Sequence, residues 1–164
     1  LRAIVVGTGP GSFTGLRVAA AFAQGLARGS AAALKGLSHA QAACWALLAD
    51  GEEGLWAHDL RSGGVALARC ARSAAGLAVL EPARALPLDA ARGLCAGAGV
   101  LIGDPEARIA LGADALDPRW RDSSRASVEL ALLELGLRAL ERDGPDAASA
   151  LEPLYLRPFG APSS

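Results

Sequence analysis

The sequence predicts an α/β fold, because short apolar segments of strand character alternate with longer segments of helical period. Residues 3–6, Ala-Ile-Val-Val, are apolar and partly β-branched, as in a buried strand. Residues 55–60 and 65–70 flank a Gly-containing turn and give the clearest β-hairpin pattern. Residues 124–142 have apolar positions three and four apart, as in an amphipathic helix. Mixed elements of this kind are typical of α/β or α+β architectures.

The first helix is expected over Thr14–Arg28, after the strand at residues 3–6 and a cluster of chain-breaking residues. Ser12 or Thr14 can serve as its N-cap, and Gly29 lies directly after its expected end. The central elements are then expected in this order: a strand at 32–36, a helix at 39–49 capped by Ser38, the hairpin, a strand at 77–80, a short helix from Pro87 to about Cys95, and a buried strand at 99–103.

Residues 105–121 are irregular in pattern, and the last helix is expected to begin at Ser124 and to reach Arg142. Its apolar positions are Ala126, Leu130, Leu133, Leu137 and Leu140. Glu134 and Arg138 form a favourably ordered pair one turn apart. Gly144-Pro145 ends this helix, and residues 154–157 look extended.

Length and composition limit the classes of protein that this chain can belong to. Its 164 residues, 52% of them hydrophobic, suffice for one compact domain or two small lobes with a shared core, which excludes a disordered chain. The net charge of −1 argues against a protein that holds nucleic acid by itself, although a local basic patch stays open. No apolar segment is long enough to span a bilayer.

Cysteine and histidine usage gives no sign of a disulfide framework or a metal site. Cys44, Cys70 and Cys95 are widely spaced and odd in number, which fits a reducing cytoplasm and does not match zinc-ligand spacing. His39 and His58 are too far apart for a two-histidine metal helix. We therefore predict no metal-binding residues.

The most informative segment is the glycine-rich loop between the first strand and the first helix. It consists of Gly9, Pro10, Gly11, Ser12, Phe13, Thr14 and Gly15. Glycines allow a tight turn and a close approach to the helix N-terminus, whose free N–H groups attract anions. The loop matches neither a Walker loop nor the dinucleotide-binding pattern, so phosphate binding and a plain tight turn both stay open.

The helix after this loop has more apolar surface than one side of a sheet requires. Its polar side chains Arg17, Gln24 and Arg28 fall within roughly 40° of one another at 3.6 residues per turn. The small residues Ala21 and Gly25 would allow a second helix to approach closely. Either a partner's helix covers the surplus, or alanine bias has removed the polar residues of a solvent-exposed face.

Hydrolase chemistry has weak support in the sequence. Ser12 lacks the flanking glycines of a nucleophile elbow, with Pro at position 10 and Thr at position 14. A triad of Ser12, His39 and Asp59 stays open, but structural roles for both histidines are the more ordinary interpretation. Asp59 and Arg61 flank the hairpin turn, where they can bind a ligand or stabilise the turn.

The segment Gly7–Arg17, followed by an Ala- and Gly-rich helix ending at residues 24–27, resembles the signature of the TsaB (YeaZ-type) family. Shorter matches follow in the family's order: Ser38 opening the next helix, Asp59-Leu60-Arg61 before Gly63-Gly64-Val65, and Pro153-Leu154-Tyr155-Leu156-Arg157 near the end. Together the matches span nearly the whole chain.

The resemblance implies an actin/Hsp70/sugar-kinase-like fold (ASKHA, ribonuclease H-like) that lacks catalytic competence. Such proteins form a heterodimer with TsaD, which transfers threonylcarbamoyl to the adenosine beside the tRNA anticodon, and the ATPase TsaE joins them. It implies a cytoplasmic protein that meets tRNA only through this complex and has no intrinsic cofactor. A homodimer, and ATP or ADP at the partner interface, stay open.

The resemblance also implies roles for particular residues. The partner interface would comprise Leu16, Arg17, Val18, Ala21, Phe22, Gly25 and Arg28. The candidate ligand residues of the weaker motifs are Asp59, Arg61, Tyr155 and Arg157. No catalytic residue is implied.

The sequence departs from the family at its start, which lacks the family's first strand with an Asp-Thr-Ser-type turn, the hairpin and the helix. It also contains no methionine. We therefore expect a fold with its first strands missing, in which residues 1–37, joined by 145–164, are the remnant of the first lobe and residues 38–144 form the second. Such a chain should be unstable or self-associating alone. Two rival functions stay open: a glycopeptidase-like hydrolase and a nucleotide-binding half-domain.

Overall fold

The computed structural model describes residues 1–61, 63–125 and 127–156. The strands and helices are β1 (Ala3–Gly7), α1 (Phe13–Ser30), β2 (Ala33–Leu37), α2 (His39–Leu47), β3 (Glu53–Asp59), β4 (Gly64–Ser73), β5 (Gly76–Pro87), α3 (Leu88–Ala96), β6 (Leu101–Gly103), α4 (Pro105–Leu111), β7 (Trp120–Asp122) and α5 (Val128–Asp143). Short 3₁₀ turns cover Ser123–Arg125 and Ala148–Ala150. The predicted α/β class is confirmed.

The strands form two sheets. β1 and β2 pair in parallel, from Ala3 opposite Ala33 to Gly7 opposite Leu37. The second sheet has the order β5-β4-β3-β6-β7, in which β5, β4 and β3 are antiparallel and β3, β6 and β7 are parallel. Ligand sites in α/β proteins are usually built at the carboxyl ends of parallel strands. Here these are the ends of β1 and β2 in the smaller sheet, and of β3 and β6 in the larger one.

The smaller sheet is the middle layer of three. Side chains along a strand alternate between faces, so Ile4 and Val6 pack with α1 residues while Val5 packs toward α5. Ala23 and Ala27 form the buried side of α1, and small side chains there bring the helix close to the strands. α1 and α5 therefore cover opposite faces of β1 and β2.

The larger sheet is covered by α2 on one face and by α3 and α4 on the other. Trp56 of β3 is 1% exposed and packs with α2, whereas Ala57, its neighbour on the opposite face, packs with α3 and α4. Helix α5 joins the sheets, since its Ala131 and Leu135 share a cluster with Leu37 of β2 and Leu77 of β5. The division into lobes at residue 37 stays a prediction.

The first helix agrees with the sequence interpretation at its start and extends beyond it at its end. Ser12 is the N-cap, and its hydroxyl accepts the N–H of Gly15 at 3.1 Å. The helix continues through Gly29 to Ser30 and ends where Ala31 adopts a left-handed conformation with φ of 53°. The predicted hairpin is also present, with Asp59 opposite Val65.

One prediction about the middle of the chain was wrong, and another gave a strand that is too short. Residues 105–121, expected to be irregular, contain α4 and β7. Asp104 caps α4 by accepting the N–H of Ala107 at 2.8 Å, and Pro105 occupies its first turn. A helix of seven residues is too short to show a clear period. The strand expected at 77–80 extends to Pro87 as an edge strand with two irregularities in its pairing to β4.

The last helix begins later than predicted and faces the other way. It starts at Val128, and Ser124 lies in a 3₁₀ turn instead of capping it. The apolar positions predicted for it include Leu130, Leu133 and Leu137, which are 66%, 48% and 43% exposed. Its buried positions are Val128, Ala131, Leu135, Gly136 and Ala139. Three of these five are small, and Gly136 allows the helix to lie tightly against Val5 of β1. Ala126 lies outside the described residues.

Candidate functional site

The glycine loop is fixed at its start by two segments that are distant in sequence. The carbonyl of Thr8 accepts the N–H of Leu154 at 2.7 Å, and the carbonyl of Gly9 accepts the N–H of His39 at 2.7 Å. Gly9 has φ of +108°, which favours glycine, and the peptide bond to Pro10 is cis. The loop therefore joins β1, the start of α2 and the C-terminal segment.

Leu16 turns inward beneath this loop and differs in that respect from the other predicted interface residues. A Cβ built on Gly9 would lie 2.8 Å from Cδ1 of Leu16, so only glycine fits above this side chain. The backbone N–H of Leu16 also bonds the carbonyl of Ser12. Leu16 is accordingly half-buried.

A cavity of about 210 Å³ lies beside the loop, between the starts of α1, α2 and α5. Its lining residues are Gly7, Gly9, Pro10, Leu16, His39, Ala42, Val128, Glu129 and Leu132. Burial lowers the pKa of His39, and nearby His58 lowers it further, which favours the neutral imidazole. A lining of apolar groups, a neutral ring and the Glu129 carboxylate does not favour a phosphate.

The outer face of α1 is apolar and open to solvent. Val18, Phe22 and Leu26 are 63%, 67% and 40% exposed, one turn apart along the helix. Ala21 is exposed among them, and a Cβ built on Gly25 would meet nothing within 4 Å. We call the exposed face formed by these five residues the α1 stripe. It has the size and small-residue spacing that a second helix needs for close packing.

Arg17 lies at the beginning of the α1 stripe and is held by two aromatic rings. Its guanidinium carbon is 4.0 Å from the centre of the Phe13 ring, and its Nε donates to the hydroxyl of Tyr155 at 3.1 Å. The rings of Phe13 and Tyr155 are 5.1 Å apart. Tyr155, from near the end of the chain, therefore meets Phe13 and Arg17 at the loop. Arg28 is exposed near the other end of α1.

The remaining candidate ligand residues are not brought to this cluster by any described hydrogen bond. The carboxylate of Asp59 accepts the N–H of Arg61 at 2.9 Å, and Arg61 has φ of 54°. Both observations describe a local turn. Arg157 and Ser62 lie outside the described residues.

A histidine and a carboxylate that sequence reasoning did not connect are paired at the carboxyl ends of β3 and β6. Nδ1 of His58 lies 3.2 Å from a carboxylate oxygen of Asp104. Burial acts to raise the pKa of Asp104, but the His58 contact and the Ala107 N–H outweigh it, and the pKa is lowered. The rings of His39 and His58 lie 5.9 and 5.7 Å from that of Trp56.

The open triad of Ser12, His39 and Asp59 is not assembled by any hydrogen bond among the described residues. Ser12 is used as a helix cap and Asp59 as a turn acceptor. The Asp104-Pro105 sequence could have revealed the carboxylate, because it is a helix-start signature. Its meeting with His58 depends on the parallel pairing of β3 with β6, which no local pattern encodes.

Two negative findings apply to residues 1–61, 63–125 and 127–156. No group of three or more His, Cys, Asp or Glu side chains there is placed to hold a metal ion. Within the same ranges, every helix is too short or too polar to cross a membrane.

The chain is similar to one described family and to solved structures. Residues 1–95 match the model of the family described as TsaD: tRNA N6-adenosine threonylcarbamoyltransferase. A Pseudomonas aeruginosa structure, described as an uncharacterized protein with similarity to peptidase YeaZ, superposes with a TM-score of 0.75 and 24% identity over 96% of this chain and 74% of that chain. YeaZ from Pseudomonas aeruginosa gives 0.72 and 23% over 95% and 74%. No curated protein sequence matches significantly.

Proposed function

This chain belongs to the family whose model is described as TsaD, and we propose that it is a non-catalytic member of that family. In this proposal it serves tRNA threonylcarbamoylation by binding and activating a second protein, a TsaD-type transferase. The YeaZ-like fold, confirmed by the superpositions, supports the accessory rather than the transferase role. The modified base would be the adenosine next to the tRNA anticodon.

The observation that carries this proposal is the α1 stripe. Phe22, at its centre, is 67% exposed, which is unusual for an aromatic side chain flanked by Val18 and Leu26 that are exposed as well. Burial of exposed apolar side chains drives most protein–protein association, and bulky side chains near the centre of an interface often dominate its affinity. The partner surface is therefore proposed to be a helix packed along α1.

Activation would be conformational. A subunit changes its partner's activity only if it binds one conformation of that partner more tightly than the others. Docking of the α1 stripe on a helix beside the partner's active cleft would favour the ordered cleft. The chain described here then contributes no reacting group.

The remaining partners follow from the same proposal. A TsaE-like ATPase would join the heterodimer in the cytoplasm, and tRNA would be bound only by the assembled complex. Titration calorimetry with ATP and with ADP, in the presence and absence of the transferase, tests whether a nucleotide binds at the partner interface. A homodimer through the same surface is an alternative occupant of the α1 stripe.

The experiment is a pull-down of the transferase from the same organism with Gly25→Arg and Ala21→Arg variants. Both positions are exposed, and Gly25 has open space around it, so a long side chain blocks a docking helix without disturbing the fold. Gly93→Arg is the matched control, because Gly93 lies on α3 with nothing within 4 Å of an added Cβ.

We expect both α1 variants to lose the transferase and the control to retain it, with unchanged circular dichroism in all three. Retention of the transferase by Gly25→Arg and Ala21→Arg would show that the interface lies elsewhere. The proposed function would then have lost its structural basis.

A hydrolytic activity is the second candidate, and the His58–Asp104 pair is the observation that favours it. A carboxylate that holds Nδ1 of a histidine leaves Nε2 to act as a base toward water or a hydroxyl. A peptidase assay of the wild type and of Asp104→Asn, with metal analysis of both, separates the two candidates. Turnover that the substitution abolishes would favour the hydrolase.

A further inference from the structure

A cavity of about 360 Å³ lies on the larger sheet, at the face that α3 covers. Its lining includes Leu55 and Leu67, which pack in the apolar cluster on that face. Helix α3 ends beside it, so that Gly97 and Gly99 form part of its wall. This volume falls at the lower end of the range for small-molecule sites, which favours a compact ligand.

Four charged side chains from three neighbouring strands line this cavity, with alternating signs. They are Glu53 of β3, Arg69 of β4, and Glu81 and Arg84 of β5. Arg69 donates to Glu53 through Nε, and its Nη1 lies 3.5 Å from Glu81. Arg84 also lies 3.5 Å from Glu81, and it has no other hydrogen bond or ion pair among the described residues. The row therefore sums to zero charge and ends in an arginine with unused donors.

A β-bulge in β5 places Glu81 and Arg84 on the same side of the sheet. In a regular strand, side chains three residues apart point to opposite faces. Arg84 lies opposite Leu67 of β4. Glu81, three residues earlier, lies opposite Arg69, which is only two residues further along β4. The extra residue turns both charged side chains towards the cavity, and bulges that redirect a side chain in this way are over-represented beside active sites.

The alternating charges select against a ligand of one sign. A simple anion that reached Arg84 would lie beside the Glu81 carboxylate, and a simple cation at Glu81 would lie beside the Arg84 guanidinium. A zwitterion avoids both repulsions, because its carboxylate can face the arginine while its ammonium group faces the glutamate. The contact between Glu81 and Arg84 is long and about half-exposed, so two shorter charge-assisted bonds to a ligand can replace it at little cost.

The rest of the cavity lining is apolar. Leu94, at the end of α3, is 45% exposed beside Leu55 and Leu67. Gly93 and Gly99 leave the wall without side chains, and a Cβ built on either would meet nothing within 4 Å. An apolar group of a ligand would cover the exposed leucine and fill the space that the glycines leave. The ligand should therefore combine a zwitterionic group with a large apolar one.

We propose that this cavity binds a free α-amino acid with a large apolar side chain. Arg84 binds its carboxylate, Glu81 binds its ammonium group, and its side chain lies against the leucines of the lining. The cavity belongs to the larger sheet, whereas α1 covers the smaller one. This inference therefore does not rest on the proposed function, and the two can fail separately.

The experiment is a nuclear magnetic resonance titration of this protein with L-phenylalanine and with L-leucine, in which binding is read from backbone amide signals. We expect saturable shifts at Gly93, Gly97 and Gly99, which line the cavity. The amide of Gly25 on α1 should not shift and is the internal control. If neither amino acid shifts the cavity glycines at millimolar concentration, the inference is overturned.

Two derivatives of phenylalanine test the zwitterion directly. L-Phenylalaninamide lacks the carboxylate, and N-acetyl-L-phenylalanine lacks the ammonium group. We expect each to bind at least about tenfold more weakly than phenylalanine, because each leaves one charged side chain of the site without its partner. A derivative that binds as tightly as phenylalanine would show that the cavity recognises only one charge or none, contrary to the inference.

Arg84→Gln tests the residue assigned to the carboxylate. We expect phenylalanine to bind about tenfold more weakly to this variant, whereas phenylalaninamide, which has no carboxylate, should bind it and the wild type equally. Arg138→Gln on α5 is the matched control and should leave both affinities unchanged, because Arg138 is 52% exposed and also pairs with a glutamate. Equal losses for both ligands in Arg84→Gln would mean that Arg84 only maintains the shape of the cavity, and would contradict the proposal.

Discussion

Helices α1 and α5 cover opposite faces of the same two-stranded sheet, and each exposes a row of large apolar side chains. The exposed fractions are nearly equal, 67% for Phe22 on α1 and 66% for Leu130 on α5. The residues around these side chains differ. On α1 they are alanine and glycine with arginines at one edge, whereas on α5 a Glu134–Arg138 ion pair at 3.1 Å lies among the leucines.

The comparison teaches that apolar exposure by itself does not identify an interface. A second helix can approach α1 closely, because Ala21 and Gly25 leave room for its backbone. On α5, the same approach would remove the Glu134–Arg138 pair from water, and desolvation of charges opposes docking. This contrast favours the proposed docking of the partner on α1 over docking on α5.

The largest effect expected from this comparison is on partner binding. Phe22→Asp should weaken binding of the transferase by about 100-fold or more, since an aromatic residue at the centre of an interface contributes strongly and a buried carboxylate there adds a desolvation cost. Leu133→Asp, the matched change on α5, should leave affinity within about twofold, because Leu133 lies outside the proposed interface. Surface plasmon resonance on both variants measures the difference.

The reverse result would exchange the roles of the two helices. If Leu133→Asp weakened binding and Phe22→Asp did not, α5 would be the docking surface. Thermal unfolding should show native-like stability for both variants, since neither side chain is part of a buried cluster.

A second comparison uses one glycine from each helix. A Cβ built on Gly136 of α5 would lie 2.6 Å from Cγ2 of Val5, whereas one on Gly25 of α1 would meet nothing within 4 Å. Gly136→Ala should destabilise the protein by about 1–3 kcal/mol, because a packed face cannot accept another carbon. Gly25→Ala should stabilise it by about 0.5–1 kcal/mol through helix propensity. Urea unfolding gives both values, and destabilisation by Gly25→Ala would mean that α1 is packed on its outer face.

The smallest effect expected is on stability, and it concerns Asp146, which follows α5 and anchors that part of the chain to β2. Asp146 accepts the N–H of Gly36 at 2.9 Å and pairs with Lys35 at 2.8 Å. Burial acts to raise the pKa of Asp146, but these two partners outweigh it and the pKa is lowered. A lowered pKa in the folded state gives stability that is present above about pH 4 and is lost as the pH falls further.

Asp146→Asn should therefore cost about 1 kcal/mol at pH 7, and the difference from the wild type should shrink below about pH 4. Unfolding by urea at pH 7 and pH 3 measures this. A difference that is equal at both pH values would show that the charge of Asp146 contributes nothing to the anchor.

Features encoded by neighbouring residues were predictable from the sequence. Ser38 was predicted as a helix cap, and Ser12 as one of two candidate caps beside Thr14, because a cap and its helix lie within four residues of each other. The hairpin was identified because its turn and both strands are contiguous. The family signature from Gly7 to Arg17 allowed the family to be predicted, and the match to residues 1–95 confirms it.

Features that depend on distant neighbours were not predictable from periodicity. The apolar rows on the two sides of α5 look alike in sequence, and only contact with Val5 shows that the face with Gly136 is the packed one. The pairing of His58 with Asp104 needs β3 and β6 side by side. Asp59 and Arg61 were candidates because of their spacing, and the structure shows that their hydrogen bond forms a local turn.

The sequence by itself determined where α1 and α2 start, which residues make the loop before α1, and which family the chain belongs to, because caps, glycines and signatures are local properties. Only the tertiary structure decided which helix faces stay open and that Arg17 meets Tyr155, residues from opposite ends of the chain. The physical reason is that burial and pairing depend on which segments the fold brings together, and two helices with the same apolar periodicity differ only in what packs against them.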